Sequence, residues 1–299
     1  MGRFHKPALL KEVIEYLNIK PGEKYIDATV GGGGHTEAIL KRGGKVLGID
    51  CDPEAIKAAR RYLSQACPVP KFRDVGVSWC LVRENFAHLK EVAEEKGFAQ
   101  VAGIFFDLGV SSYQLETPER GFSFEAETFL DMRMDPSLKV TAADLINGLN
   151  KGELDELFSK LAQEKYSRRL AGAICRARRI APIRTCRQLT EIVVKVKPRK
   201  KGGRHPATNC FLALRIAVND ELNNLKRALP QALALLKIKG RLVIISFHSG
   251  EDRIVKNFLK KNKDRLKILT KKPVRPTERE IKANPRSRSA KLRAGEKIK

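Results

Sequence analysis

Four glycines in succession, Gly31–Gly34, stand between a strand pattern and a helix pattern. KYIDA (24–28) before them alternates apolar and polar residues, and the stretch near 35–42 reads as a short helix closing on Gly43-Gly44. A flexible linker has no reason to sit between two such elements. A strand-to-helix turn does, because glycine lets backbone approach a ligand at a helix N-terminus. The alternative is a tight turn with no ligand.

The rhythm continues downstream. KVLGID (45–50) is a second strand, Pro53 opens a helix, WCLVRENF (79–86) is a third strand and VAGIFFDLGV (101–110) a fourth. The last is a nearly continuous apolar run, as a parallel strand buried on both faces requires. The alternation predicts a doubly wound α/β domain.

From about 112 to 205 no buried strand is evident, and helical pieces such as LDELFSKLAQ and YSRRLAGAICRARR dominate. A long helical pattern over 207–236 should bend or divide at Pro230, and RLVIISF (241–247) followed by a helix over 251–261 resumes the α/β order. The expected organisation is a core over 1–111, an inserted helical substrate-recognition domain over 112–206, and the rest of the core over 207–299. The C-terminal end should mix edge strands with exposed loop.

The formal charge of +25 is concentrated in two places. Residues 160–204 hold 15 Lys/Arg against 2 acids, and residues 260–299 hold 16 against 4. These segments contribute +13 and +12, so the remainder is neutral. Two basic patches on a neutral body point to a polyanion, since bound phosphates release counterions. In YSRRLAGAICRARR, Tyr166, Leu170, Ile174 and Ala177 form a stripe, while Arg168, Arg169, Arg176 and Arg179 lie off it. With few large aromatics beside these cations, nucleic acid is favoured over a membrane surface. No apolar run reaches the length of a membrane span, and the N-terminus lacks a signal-peptide core. The six cysteines are scattered without zinc-ligand spacing, so a cytoplasmic protein with ordinary thiols and no metal is expected.

Asp50 ends the second strand, 17 residues after Gly33, where a carboxylate can accept from ribose hydroxyls. A dinucleotide fingerprint would need Gly or Ala at its sixth position, which here is Thr36 or Glu37 depending on the starting glycine. No nucleoside-triphosphate loop motif occurs. An adenosyl ligand without phosphates remains, and S-adenosylmethionine fits a glycine-floored, acid-bearing crevice.

The stretches TVGGGGHT, GIDCDPEAI, FFDLGVSSYQLETPERGFSF, LDMRMDP, HPATNCFLALRIAVNDEL, ISFHSGEDRIVK and NPRSRSAKLR closely resemble the MraW (RsmH) family. Its members are 16S ribosomal RNA cytosine-N4 methyltransferases. The resemblance implies a class I, Rossmann-like S-adenosylmethionine-dependent core with an inserted helical domain, acting on 16S rRNA in a small-subunit ribosomal particle. It places cofactor contacts on Gly33, Gly34, His35, Asp50, Phe86, Asp107 and Gln114. The chain departs from the family pattern at Tyr113, where Pro is usual, and at Glu116, Asn209, Leu212 and Gly250.

The donor's sulfonium supplies the driving force, so the protein must position reactants and stabilise charge. The amine of cytosine is the harder partner, its lone pair being delocalised into the ring. Asp107 ends the fourth strand where open α/β sheets bind ligands, and it is compatible with holding the cofactor, the amine or both. It is followed by Leu-Gly rather than Pro-Pro-aromatic, which leaves base stacking to residues such as Tyr113, Phe122 or Phe124. Two readings stay open for each remaining candidate. His248 lines the crevice or packs in the core; His205 meets substrate or begins a helix; Arg120 binds phosphate or braces its own loop.

Overall fold

The computed structural model describes residues 7–67, 78–124, 126–198 and 203–299. The chain forms two compact units, Met1–Ser111 with Leu222–Lys299, and Ser112–Glu221.

The first unit is built on seven strands: β1 (Lys24–Asp27), β2 (Lys45–Asp50), β3 (Trp79–Arg83), β4 (Val101–Asp107), β5 (Leu236–Ser246), β6 (Leu266–Ile268) and β7 (Lys291–Lys297). They are ordered β3-β2-β1-β4-β5-β7-β6. The first five run parallel, and β7 lies antiparallel between β5 and β6. The chain order reverses across β1 and β4, which makes their carboxyl ends the expected ligand crevice. β7 is therefore an interior strand rather than the edge strand expected from its basic sequence. Leu292 and Ala294 are buried on one face of the strand, and on the other Arg293, itself buried, pairs with Asp252 at 2.6 Å.

Strand periodicity divides the core into two faces. Ile104 and Phe106 of β4 and Leu242 and Ile244 of β5 pack with Leu89 and Val92, Leu225 and Leu229, and Val255. Phe105, Val243 and Ile245 point the other way, onto Val13, Leu17, Ile39 and Leu63. The covering helices are α1 (Leu10–Leu17), α2 (Gly34–Leu40), α3 (Pro53–Ala66) and α4 (Leu89–Glu95), joined later in the chain by Glu221–Leu235 and Ser249–Lys261. Because both faces are covered, β4 can be apolar almost throughout. Fully buried Phe106 is the kind of side chain whose truncation to Ala costs about 3–5 kcal/mol.

The second unit is helical: α5 (Ser112–Glu116), α6 (Ala142–Gly148), α7 (Lys151–Ala162), α8 (Ser167–Ile180), α9 (Cys186–Val196) and α10 (Thr208–Val218). Asn150 and Thr185 start α7 and α9 through capping boxes, satisfying amides the helices cannot. The unit extends to Glu221, so α10 belongs with these helices, beyond the expected boundary at residue 206.

The helical pattern over 207–236 divides at Asn219–Asp220 and not at Pro230. Asn219 accepts from Met134 N at 2.7 Å and donates to the Met132 carbonyl at 2.8 Å, and Asp220 adopts a left-handed φ of 48°. Pro230 instead lies inside α11 (Glu221–Leu235). Pro230 and Lys226, whose carbonyl loses its donor there, are both exposed, so water can serve that carbonyl. The remaining helices are α12 (Ser249–Lys261) and α13 (Glu278–Ala283).

Candidate active site

The glycine turn is tied to the strands on either side of it. Val30 N donates to the Ile49 carbonyl at 2.8 Å, and Ala28 N to the Phe105 carbonyl at 2.9 Å. Gly31 and Gly33 take left-handed φ values of 49° and 85°, which side-chain-bearing residues rarely adopt. A Cβ on Gly33 would also stand 3.3 Å from Leu63. Gly34 is the first residue of α2, so the turn delivers backbone directly to a helix start.

Asp50 closes β2 beside this turn. Its carboxylate accepts from Gly31 N at 2.9 Å and from Asp52 N at 3.0 Å. Burial pushes Asp50 up to about 6 even though those amides favour the charged form. Asp27, at the end of β1, is fully buried and likewise raised to about 6 by burial. It accepts from the Thr36 hydroxyl at 2.7 Å and from Thr29 N at 3.3 Å. The Thr29 hydroxyl oxygen in turn accepts from the Asp107 backbone amide at 2.6 Å. Asp27 thereby ties the turn, α2 and the end of β4 together.

Asp107 is held well above the ordinary carboxylate range, by burial first and then by the negative charges of Asp27 and Glu251. His35 lies beside it, Nδ1 to Oδ2 at 3.7 Å, with Nε2 3.1 Å from the Ala8 carbonyl and the ring 4.5 Å from Phe105. Phe86 follows β3 and meets Phe106 edge-on at 5.8 Å. Gly33, Gly34, His35, Asp50, Phe86 and Asp107 thus belong to one unit, at or after the carboxyl ends of β1 to β4. Gln114 is buried in α5 of the other unit.

The donor set suits a nucleoside bearing positive charge. Burial is the largest cause of the raised pKa of Asp27, Asp50 and Asp107, and the negative charges of neighbouring acids add to it. A positive charge on a ligand beside them would favour their charged forms. A sulfonium and ribose hydroxyls answer that arrangement; a pyrophosphate would be repelled by it.

The chain matches the MraW methylase family over residues 2–298. It belongs to that family. It is similar to "Ribosomal RNA small subunit methyltransferase H" of Heliobacterium mobile, 45% identical with 98% of this chain and 99% of the relative covered. The protein of the same name from Dehalococcoides mccartyi strain BAV1 is 43% identical over 98% of this chain and 86% of its own length. A putative methyltransferase from Streptococcus mutans, solved in complex with SAH, has a TM-score of 0.49 at 14% identity, covering 98% of this chain and 99% of that one.

In this MraW methylase the other predicted residues have local partners. His248 caps α12: Nδ1 accepts from Gly250 N at 3.1 Å, and Glu251 reciprocates by accepting from Phe247 N and His248 N. A Cβ on Gly250 would stand 3.0 Å from that ring, so a larger residue there requires the ring to shift. Arg120 donates to the carbonyls of Arg133 and Met134 at 3.1 and 2.9 Å, bracing its own loop, and Arg133 grips Asp131 with two bonds. His205 accepts from Ala207 N just before α10 and stacks on Phe124 with ring centroids 4.9 Å apart. Phe122 is buried.

On α8, Leu170, Ala171 and Ile174 are buried and Arg168, Arg169, Arg176 and Arg179 are exposed, so the stripe lies near its expected position. Sequence reasoning assigned nothing to Asp27, although an acid ending a strand just before the glycine turn was a legible signal. It also missed Lys151 and Lys195, which share a cleft with the α8 arginines and for which no local signal exists.

Proposed function

We propose that this MraW methylase transfers the methyl group of S-adenosylmethionine to N4 of a cytidine in 16S ribosomal RNA, within a small-subunit particle in the cytoplasm. The observation that carries this reading is the set of acids at the strand ends around the glycine turn, Asp27, Asp50 and Asp107, each raised in pKa by burial. When bound, the donor supplies an electrophilic methyl carried on a sulfonium. Gly33, Gly34 and His35 would bring backbone and ring to it, Asp50 would accept from its ribose hydroxyls, and Phe86 would add an apolar contact.

Asp107 accepts an N–H of the cytosine amine, which favours the pyramidal nitrogen that attacks. The nitrogen so held would take the methyl carbon, the donor would leave as its neutral thioether, and the proton the amine loses would pass to solvent. Burial makes the Asp107 carboxylate more basic than an ordinary one, which suits that hydrogen bond near neutral pH. Arg168, Arg169 and Arg176 hold RNA backbone, with Arg120, His205 and His248 shaping their own loops and helix starts. Among the described residues no helix is long and apolar enough to cross a membrane, compatible with a ribosomal substrate.

Unmodified small subunits incubated with protein and donor, followed by mass-spectrometric mapping of the rRNA, test the assignment. One N4-methylated cytidine is expected. Methylation of a different base, or none with a donor-binding protein, would overturn it.

A further inference from the structure

The arginines of α8 are not one surface. Arg168, Arg169 and Arg176 line an open cleft of about 680 Å³ together with Lys151 of α7 and Lys195 of α9, and Arg179 is not among its lining residues. Gly172 and Ala173 lie among the cations; a Cβ on Gly172 would stand 3.5 Å from Arg176 Nη1 and 3.6 Å from Lys151 Cε. No acid lines the cleft, and among the described residues none of the five cations forms an ion pair.

This crowding opposes the stability of the helices that carry it. Lys151 is the first residue of α7, and Arg168 and Arg169 sit in the first turn of α8, which has no acid there. Cations at that end work against the helix dipole and one another. Packing offers no compensation, because Lys151, Arg168, Arg169, Arg176 and Lys195 are all exposed. A dianionic or polyanionic occupant removes the conflict. The volume lies within the range of a ligand pocket, so the cleft accepts more than a lone phosphate group.

We propose that this cleft grips consecutive phosphates of the RNA substrate, with Lys151 and Lys195 completing the site and Arg179 outside it. The inference rests on the reading of the helical unit as the RNA-binding part. It differs from that reading by regrouping the cations according to the cleft rather than the helix.

The test compares wild type, Lys151→Gln/Lys195→Gln, Arg179→Gln, and a variant with all four α8 arginines changed to Gln. Each binds a single-stranded fragment of 16S rRNA across a salt series, with S-adenosylmethionine calorimetry as the control for folding. At about 0.7 in log–log slope per single-strand phosphate, the double lysine variant should flatten the salt dependence by roughly 1.4 and lose about 25-fold in affinity at 0.1 M salt. Arg179→Gln should leave the slope unchanged, and Lys151→Gln alone should melt no lower than wild type, since a cation leaves the positive end of a helix. If the four-arginine variant flattens the slope and the lysine variant does not, the cleft is overturned while the RNA-binding unit stands. If neither flattens it, both fail.

Discussion

The two units use charge in opposite senses. In the α/β unit, Asp27 is buried and Asp50 and Asp107 are half-buried at neighbouring strand ends, each raised in pKa by burial. In the helical unit, five exposed cations line a cleft that contains no acid. Like charges brought together raise the energy of the empty protein in both places, and each arrangement is relieved by a ligand of the other sign. A cationic donor and a polyanionic acceptor are thus kept apart by chemistry: neither site attracts the other's ligand. Burial separates the cases further, since it raises the pKa of the acids, whereas the cations remain hydrated and screened by salt.

The largest expected effect tests the acidic side. Asp107→Asn keeps the size and one acceptor but removes the charge, so the single-turnover methylation rate should fall roughly tenfold to a thousandfold with little change in donor affinity. A mutant that methylates normally at low donor concentration would show that Asp107 serves neither donor nor amine.

The second effect is on folding. The folded-state pKa of Asp27 is about 6 against an ordinary 3.8, so the folded chain keeps a proton that the unfolded chain releases between those values. The stability this contributes is complete below about pH 4 and is lost as pH rises through about 6, roughly 2–3 kcal/mol in all. Denaturant titrations at pH 4 and pH 7 should therefore show Asp27→Asn gaining that much relative to wild type at the higher pH. Parallel pH profiles for the two proteins would mean that the buried acid is balanced after all.

Asp50→Ala should cost about 1.5–3 kcal/mol of donor binding, or ten- to a hundredfold, through lost charge-assisted hydrogen bonds. Calorimetry on the folded variant measures it; an unchanged affinity removes Asp50 from the ribose site. The smallest expected effect belongs to the basic side. Arg179→Gln lies off the cleft and should move methylation of small subunits less than twofold, as is usual for an exposed cation without a fixed partner. A loss as large as that of the lysine pair would erase the distinction between cleft and helix face.

Most of the α/β order was legible because strand and helix signals are local. KVLGID occupies the positions its pattern predicts, and the apolar run at 101–110 gives β4, stopping at Asp107 where the sheet opens to the crevice. Asp50 and Asp107 could be singled out because an acid ending an apolar strand is conspicuous in sequence. The break at Asn219 was not legible. Proline is a local signal and tolerates an exposed helix position, whereas Asn219 divides the helix pattern by bonding Met132 and Met134, more than eighty residues earlier.

The sequence by itself determined the α/β alternation, the glycine turn with its acid partner, the helical interruption and the two basic segments. Each is a matter of residue type and spacing within a few turns or strands of chain. Tertiary structure alone decided that β7 is interior and that the ends of β1, β2 and β4 bring Asp27, Asp50 and Asp107 to neighbouring positions. It also decided which cations act together. Lys151, Arg168 and Lys195 come from three helices, and only their packing brings them to one cleft. Periodicity fixes which face a side chain occupies on its own element; what stands opposite that face depends on how the elements pack.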